Sequence, residues 1–445
     1  MADATEPAGR TWGQTASAYA RPIMIAMLIL GFASGLPLMM VFSKLSFWLR
    51  DAGIERSTIG FFYWVTISYT LKPLWSPVID RVPVPWLTKA LGKRRSWMIV
   101  AILGTMVGLS LIAFTDPANG LIVTALGAFI LSYSGATLDI SIDAWRIESA
   151  TRDSQANMAA AYVLGYRAAI MFSGIGLAIS EWTNWTISFL AMAATMGLCA
   201  VLILFMKEPF HAYREPDTQS FGRRVAASII EPFKQFWDRL GHWIVPVFLL
   251  VAFYRLSDFT MGVMASPLYS DLGFSRAVVG GIQSGPGVIA TISGGFLGGV
   301  IAYKFGVLRT MVVGAVITFA TNAAFAYLAA VGSSESVGLL AFVISADNVA
   351  AGFVGTAFIA YLSSLTDPLN AATQYALLSS IYALICKFIA GFSGVMADAM
   401  GYVGFFIVTA TYALPMAALI IFIMLRGTDA ARGIRDLEKR TAAAE

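Results

Sequence analysis

Long apolar stretches, repeated along the whole chain, constrain this sequence more than any other feature. A bilayer core of about 30 Å needs about 20 apolar residues for each helical crossing, and stretches of that size recur between clusters of charged and turn-forming residues. Only 13% of the 445 residues are charged, whereas about a quarter are charged in a soluble globular domain. The sequence therefore argues against a soluble enzyme and predicts an all-α membrane protein.

The apolar runs predict twelve transmembrane helices in two six-helix bundles, with an N-terminal tail over 1–21 and a C-terminal tail over 426–445. The bundles cover residues 22–206 and 242–425, and a polar linker over 207–241 joins them. The predicted spans, numbered 1 to 12 in chain order, are 22–49, 57–80, 96–115, 120–147, 158–180, 185–206, 242–270, 275–302, 308–330, 337–365, 372–398 and 403–425.

The placement of the basic residues predicts the orientation. If the N-terminus is cytoplasmic, 22 of the 30 basic residues fall in cytoplasmic segments, and the outer connections hold only Arg50, Arg56 and Arg276. Basic residues accumulate in cytoplasmic loops, so both termini are expected inside the cell. The tail over 1–21 lacks the apolar core of a signal peptide. In the linker, apolar residues at helical spacing predict an amphipathic helix on the inner membrane surface; they are Val225, Ile229, Phe233, Phe236 and Leu240.

An internal repeat supports the division into two bundles. Part of span 5 recurs at one constant displacement in span 11: Tyr162, Arg167, Phe172, Ser173 and Gly174 are repeated as Tyr382, Lys387, Phe392, Ser393 and Gly394. Parallel repeats of six helices are typical of transporters with a binding site between the halves.

The connection between spans 2 and 3 resembles that of the major facilitator superfamily, which carries the pattern G-x-x-x-D-R-x-G-R-[RK]. Here Asp80 and Arg81 are followed, after about ten residues, by Gly92-Lys93-Arg94-Arg95. The insertion is similar to that of muropeptide permeases of the AmpG type. Further blocks carry the same resemblance: Leu30–Leu38, Thr58–Phe62, Leu74–Arg81, Asp139–Trp145, Leu164–Arg167 and Ala372–Ser379.

This resemblance implies the fold, the transport activity and the cellular membrane in which the protein resides. Transporters of that type import N-acetylglucosaminyl-1,6-anhydro-N-acetylmuramic acid, with or without its stem peptide, from periplasm to cytoplasm by proton symport. We therefore expect a monomer in the bacterial inner membrane that uses the proton gradient and neither a cofactor nor a metal, and that binds no nucleic acid. The second-to-third and eighth-to-ninth connections would act as cytoplasmic latches; their residues are Asp80, Arg81, Arg94, Arg95, Arg146, Lys304 and Arg309.

Ionisable residues at bilayer depth are expensive and are usually functional or paired. Asp139 and Asp143 are four residues apart, so both carboxylates project from one helical face. Like charges this close raise one pKa, as a proton carrier requires. The alternative for Asp143 is a structural ion pair with Arg146 or with the basic loop cluster. Asp347 and Asp258 are the further candidates for proton coupling.

Cations inside the spans are the candidates for binding an anionic substrate. Arg167 and Lys387 occupy matching positions in the repeat, and each needs an anion: a substrate carboxylate, or Asp139 or Asp347. Arg255 lies three residues before Asp258, with which it could pair along the helix.

Four further residues complete the predicted binding set. Lys72 and Lys44 are binding candidates that could instead extend to the inner and outer surfaces respectively. Asn348 could hydrogen-bond sugar hydroxyls, and Gln374 is either a binding residue or a helix-end or gate residue.

Other function classes fit less well. Gly391-Phe392-Ser393-Gly394 resembles the G-x-S-G of rhomboid proteases, but such a serine needs an intramembrane histidine, and His211 and His242 belong to or border the linker. A channel would more often form pore rings by oligomerisation, and a sensor would need a soluble effector domain. Within transporters, a carrier of acetyl-coenzyme A or of another anionic solute remains the alternative.

Overall fold

The computed structural model describes residues 22–149, 155–209, 233–367 and 371–433, and no β-strand occurs in these ranges. Ten helical segments are long and apolar enough to cross a membrane, and Gln374–Ala390 is a shorter apolar helix. The predicted second span is present as a chain of short helices. The all-α prediction is confirmed.

Six spans are continuous helices, because neither proline nor a backbone-bonded polar cluster interrupts them. Their ends lie within three residues of the predicted ends. These helices are Lys93–Phe114, Leu121–Ser149, Gln155–Trp182, Trp185–Leu204, Val307–Val331 and Val337–Leu365.

The other spans are interrupted. Span 1 passes from Pro22–Met39 through a wider π-helical turn, Met40–Lys44, into Leu45–Asp51. Irregular backbone at membrane depth is tolerated where protein or a cavity covers it. Three further stretches are interrupted. Span 7 is Ile244–Phe253 with Leu256–Asp271, and span 8 is Arg276–Ser284 with Pro286–Phe305. Spans 11 and 12 comprise Ala371–Ala390, Ser393–Thr411 and Ala413–Arg426. Gly401, with a φ of 70°, makes the turn between spans 11 and 12.

Span 2 is the most divided segment. It consists of Arg56–Phe62, the 3-10 helices Tyr63–Tyr69 and Lys72–Leu74, and Ser76–Arg81. Pro73 and Pro77 remove two backbone donors from this stretch. The hydroxyls of Thr66 and Ser68 donate to backbone carbonyls three residues earlier. The result is a span whose middle offers free backbone carbonyls to other helices.

Most of the linker, the whole N-terminal tail and most of the C-terminal tail lie outside the described residues. Val225 and Ile229 of the predicted amphipathic helix also lie outside them. Its described end, Phe233–Leu240, is helical and continues into span 7. Phe236 is fully buried and its ring contacts that of Phe248. This part of the predicted amphipathic helix packs its apolar face on the second bundle.

The two halves meet at one end of the molecule, which carries the connections 52–55, 183–184 and 272–275 and is called here the sealed end. One hydrophobic core cluster joins the first bundle to Met261, Leu268 and Phe405 of the second, whereas another is confined to the second half. Between described residues of opposite halves, every hydrogen bond and ion pair lies at the sealed end or at mid-depth.

Glycines allow the closest helix contacts within each half. A Cβ at Gly294 or Gly298 of span 8 would collide with the backbone of Val349 or Phe353 in span 10. The same holds for Gly31 of span 1 against the backbone of Tyr162 in span 5. Small residues at such positions are the usual means of close packing in membranes.

Candidate functional site

A largely buried carboxylate lies at the centre of the first half. Asp139, in span 4, accepts a hydrogen bond from the Lys72 ammonium at 2.5 Å and one from the Ser34 hydroxyl at 2.5 Å. The Ser34 hydroxyl is also 2.6 Å from that of Tyr162. Spans 1, 2, 4 and 5 each contribute one of these four side chains. Lys72 therefore does not extend to the surface, because the Asp139 charge holds it inside.

A second ammonium approaches this cluster from the other half. Lys387, in span 11, donates to the backbone carbonyl of Thr66 at 2.8 Å, in the irregular part of span 2. The Tyr69 ring lies near both lysines, with its centroid 5.3 Å from Lys72 Nζ and 5.9 Å from Lys387 Nζ. Cations at this distance from a tyrosine ring are attracted to its face. The two halves thus bring two positive charges to one aromatic ring.

Arg167 is half-buried in span 5. In the described part of the chain, its guanidinium forms neither a hydrogen bond nor an ion pair. The predicted alternative was a pair with Asp139 or Asp347, but Asp139 is occupied by Lys72. Of these two cations of the first half, Lys72 is neutralised by Asp139, whereas Arg167 has no anionic partner among the described residues.

The second half contains a separate charge group. Arg255 Nε lies 2.9 Å from Asp258 Oδ2, which confirms the pairing along span 7. Asp347 of span 10 lies within electrostatic reach of this pair, but its carboxylate has no hydrogen-bond partner among the described residues. One arginine is thus placed near two carboxylates.

Two amide side chains are occupied by local bonds. Asn348 donates to the Ile344 carbonyl at 2.8 Å and accepts from the Thr291 hydroxyl at 2.8 Å, which ties span 10 to span 8. Gln374 donates to Gln235 at 2.7 Å and accepts from the backbone of Asp367 at 2.8 Å. Asn348 would have to release these bonds to bind a sugar, and Gln374 has the helix-end position that was the alternative to binding.

Lys44 does not extend to the outer surface. Its side chain is buried in the π-helical turn of span 1, where the ammonium donates to Gln283 of span 8 at 3.0 Å. The expectation that it extends outward is wrong, because the second half covers this turn at the sealed end.

Asp143 forms the ion pair with Arg146 that was the structural alternative to proton coupling. Its carboxylate is 57% exposed and lies 3.4 Å from the Arg146 guanidinium, one turn along the same helix. The two neighbouring aspartates of span 4 therefore have different surroundings, and Asp139 alone is enclosed.

The predicted latch residues build a cluster within the first half. Arg94 pairs with Asp80 at 2.7 Å and with Glu148 at 2.5 Å. Glu208 accepts the backbone N–H of Arg94 at 2.6 Å and pairs with the Arg95 side chain at 3.5 Å. The side chain of Arg81 lies outside the described part of the chain. These bonds fasten span 2, span 3, span 4 and the end of span 6 together, and none of them reaches the second half.

The latch candidates of the second half are exposed. Lys304 and Arg309 form no ion pair with another described residue, and the Lys304 ammonium lies 5.3 Å from the ring of its neighbour Phe305. Among the described latch residues, no ion pair joins the two halves.

Sequence comparison places this arrangement in a family. The profile of the Major Facilitator Superfamily matches residues 23–388. The chain is 33% identical over 405 residues to "Putative transporter AmpG 4" of Rickettsia felis, covering 90% of this chain and 96% of that protein. It is 30% identical over 415 residues to the anhydromuropeptide permease of Escherichia coli K12, and the alignment covers 92% of this chain and 81% of that protein.

The chain belongs to the Major Facilitator Superfamily, among transporters of the AmpG type. Solved structures agree on the fold: the nucleoside transporter NupG aligns with a TM-score of 0.67 at 14% identity, over 91% of this chain and 99% of that one. A peptide transporter POT in complex with sulfate aligns with a TM-score of 0.70 at 12% identity, over 95% of this chain and 97% of that one. The facilitator fold and the prediction of a multi-pass membrane transporter rather than an enzyme are confirmed.

Sequence reasoning missed several residues of this facilitator's polar interior. Ser34, Tyr69 and Tyr162 surround the Lys72–Asp139 pair, and Glu148 and Glu208 complete the loop cluster. Several arginines close together require acidic partners, and Glu148 and Glu208 are acidic residues of the neighbouring segments, so this signal could have identified them. A hydroxyl or a tyrosine in an apolar helix carries no such signal.

Proposed function

We propose that this chain is a proton-coupled importer of anionic muropeptides, namely N-acetylglucosaminyl-1,6-anhydro-N-acetylmuramic acid with or without a stem peptide. The observation that carries the proposal is the enclosed Lys72–Asp139 pair, together with Arg167 of the same half, whose guanidinium bonds to none of the described residues. The name of the Escherichia coli relative, an anhydromuropeptide permease, supports the substrate class.

The pair supports a coupling mechanism. With Asp139 ionised, Lys72 is neutralised and has little attraction left for a substrate carboxylate. A proton on Asp139 removes that charge and frees the ammonium, so that Lys72, Arg167 and Lys387 together attract the anion. Proton and substrate then favour each other's binding, because each reduces the cost of an uncompensated charge inside the protein.

We propose import into the cytoplasm, and the orientation expected from the basic residues supports this direction. The basic end, with Arg94, Arg95 and Arg309, faces the cytoplasm by the positive-inside rule, and the sealed end then faces the periplasm. The described residues of the two halves bond to each other at the sealed end and at mid-depth, and we propose that this is the state from which substrate is released to the cytoplasm. We propose that a single chain in the bacterial inner membrane forms the complete transport unit and needs no cofactor.

The test compares Asp139→Asn with Asp143→Asn in proteoliposomes to which a labelled anhydromuropeptide is added from outside. Asp139→Asn is expected to abolish accumulation driven by an inward proton gradient while retaining counterflow exchange, because the asparagine imitates the protonated state permanently. Asp143→Asn is the matched control, since the same change affects an exposed group one turn away, and it should still accumulate substrate.

Normal accumulation by Asp139→Asn would contradict the coupling role of Asp139. Loss of accumulation in Asp143→Asn alone would move that role to the exposed aspartate. A carrier of acetyl-coenzyme A or of another anionic solute is the second candidate, and its preferred uptake by the unaltered protein would support it.

A further inference from the structure

The two connections at the sealed end carry one motif twice. Asp51, Gly53, Arg56 and Gly60 follow the spacing D-x-G-x-x-R-x-x-x-G. The same residue types recur in the second half as Asp271, Gly273, Arg276 and Gly280, at the displacement that also relates Tyr162 to Tyr382. The motif is therefore part of the internal repeat and lies between spans 1 and 2 and between spans 7 and 8.

Both copies fold in the same way. Asp51 and Asp271 each end a helix, and Arg56 and Arg276 each begin the next one. The glycine between them has a φ of +82° at Gly53 and +74° at Gly273, a conformation that favours glycine. Each copy therefore presents a carboxylate and a guanidinium at a fixed separation.

The charges of the two copies are exchanged across the halves. Arg276 of the second half pairs with Asp51 of the first at 2.5 Å. Arg56 of the first half lies 3.9 Å from Asp271 and 3.4 Å from Asp398, both of the second half, and Arg50 pairs with Asp271 at 2.5 Å. Reciprocal pairing of this kind is the signature of an interface with two-fold symmetry. All three arginines of the outer connections are used in it.

An aromatic residue completes each pair. The Trp185 indole N–H donates to Asp51 at 2.8 Å, and its ring lies 5.1 Å from the Arg276 guanidinium. The Tyr402 hydroxyl donates to Asp271 at 2.8 Å, and its ring lies 4.5 Å from the Arg56 guanidinium. Trp185 follows the turn between spans 5 and 6, and Tyr402 follows the equivalent turn between spans 11 and 12.

A further acid binds the start of each following helix from the opposite half. Glu181 accepts the backbone N–H of Ala277 at 2.7 Å, and Asp398 accepts that of Ser57 at 3.0 Å. Ser57 and Ala277 are again equivalent positions of the repeat. Carboxylates are favoured at helix N-termini, so each half closes on the other with an acid as well as with the exchanged pair.

Close backbone contact lies beneath both pairs. An ideal Cβ at Gly60 would lie 2.6 Å from the Gly391 carbonyl oxygen, and one at Gly280 would lie 2.5 Å from that of Gly174. Gly174 and Gly394, which approach Gly280 and Arg56 respectively, are themselves equivalent in the repeat. Only glycine permits helices of opposite halves to meet this closely.

We propose that these two equivalent groups, Asp51–Arg276–Trp185 and Asp271–Arg56–Tyr402, are paired clasps that form the outer gate of the transporter. Both clasps must open before a solute can enter from the sealed end. Because they are related by the repeat, neither half acts as a fixed frame, and each clasp shifts the balance between the closed and open states independently. The inference rests on alternating access but not on which solute is carried.

The experiment measures access through the gate without any substrate. Ser266 is buried below the clasps and its hydroxyl lies 3.2 Å from that of Ser43 across the halves. The labelled variant carries Ser266→Cys together with Cys199→Ala and Cys386→Ser. In oriented vesicles, a membrane-impermeant maleimide is added on the outer side. The rate of labelling reports how often the sealed end opens.

Asp51→Asn and Asp271→Asn should each raise the labelling rate about two- to fivefold, the range that corresponds to a partly exposed ion pair. The double variant should show the product of the two increases. Asp116→Asn is the matched control, since Asp116 is exposed in the connection between spans 3 and 4 and bonds only within its own turn, and it should leave the rate unchanged.

Charge exchange separates the gate from general damage. Asp51→Arg combined with Arg276→Asp should return labelling close to the starting rate, whereas Asp51→Arg alone should raise it strongly. The proposal is overturned if both aspartate variants label at the unaltered rate, or if only one of them responds. Failure of muropeptide uptake would leave this readout intact, so the two proposals can fail separately.

Discussion

Removal of Asp139 should destabilise the protein through the charge that it leaves behind. Loss of one partner of a fully buried ion pair costs about 3–5 kcal/mol, because the remaining charge is uncompensated. The Lys72 and Asp139 side chains retain 26% and 13% exposure, so water compensates part of that cost. We expect Asp139→Asn to lower the free energy of unfolding by about 2 kcal/mol.

The double variant Lys72→Met with Asp139→Asn tests this reasoning. It removes both charges, so it should recover at least half of the stability that Asp139→Asn loses, with a coupling free energy of about 1–2 kcal/mol. Equilibrium unfolding of the purified protein in mixed detergent micelles, for all four members of the cycle, gives these values. Additive losses in the double variant would refute the pairing as the reason for the cost.

Two further predictions address single positions. Arg167→Lys should raise the KM for a labelled anhydromuropeptide about tenfold in proteoliposome uptake, because lysine cannot donate the two parallel hydrogen bonds of a guanidinium to a carboxylate; an unchanged KM would exclude direct contact. Gly280→Leu should destabilise closure of the sealed end, because its Cβ would lie 2.5 Å from the Gly174 carbonyl oxygen. Maleimide labelling of Ser266→Cys should therefore become faster. Gly281→Leu is the control and should leave the labelling rate unchanged, because a Cβ at Gly281 has open space around it.

The parts of the fold that depend on local sequence were predictable. The continuous spans 3, 6, 9 and 10 follow the apolar runs, and the Arg255–Asp258 pair follows from a spacing of three residues on a helix. The divided span 2 was read as one helix, because its length and hydropathy fit a crossing. Pro73 and Pro77 indicate a break, but the 3-10 stretch Tyr63–Tyr69 has no comparable signal.

The central site depends on contacts between distant spans. Lys72 and Asp139 are 67 residues apart, and no local rule distinguishes this pairing from one between Asp139 and Arg167. The neighbouring Asp143 looked equivalent by spacing, yet it points to the exposed Arg146. A four-residue spacing predicts a shared face of the helix but does not predict which of two carboxylates is enclosed.

The outer gate was accessible to sequence reasoning but was not found. The repeat was recognised in spans 5 and 11, where Arg167 and Lys387 match. The same displacement relates Asp51 to Asp271 and Arg56 to Arg276. By their placement alone, the three outer arginines indicate only the orientation of the chain. A search for the repeat in the connections would have paired them.

The most direct test of the account is gradient-driven uptake by the unaltered protein. Proteoliposomes are supplied with labelled N-acetylglucosaminyl-1,6-anhydro-N-acetylmuramic acid, with or without an imposed inward proton gradient, and with acetyl-coenzyme A as the comparison solute. The account predicts accumulation of the muropeptide above its external concentration only when the gradient is present. Accumulation of acetyl-coenzyme A instead, or muropeptide uptake that ignores the gradient, would contradict it.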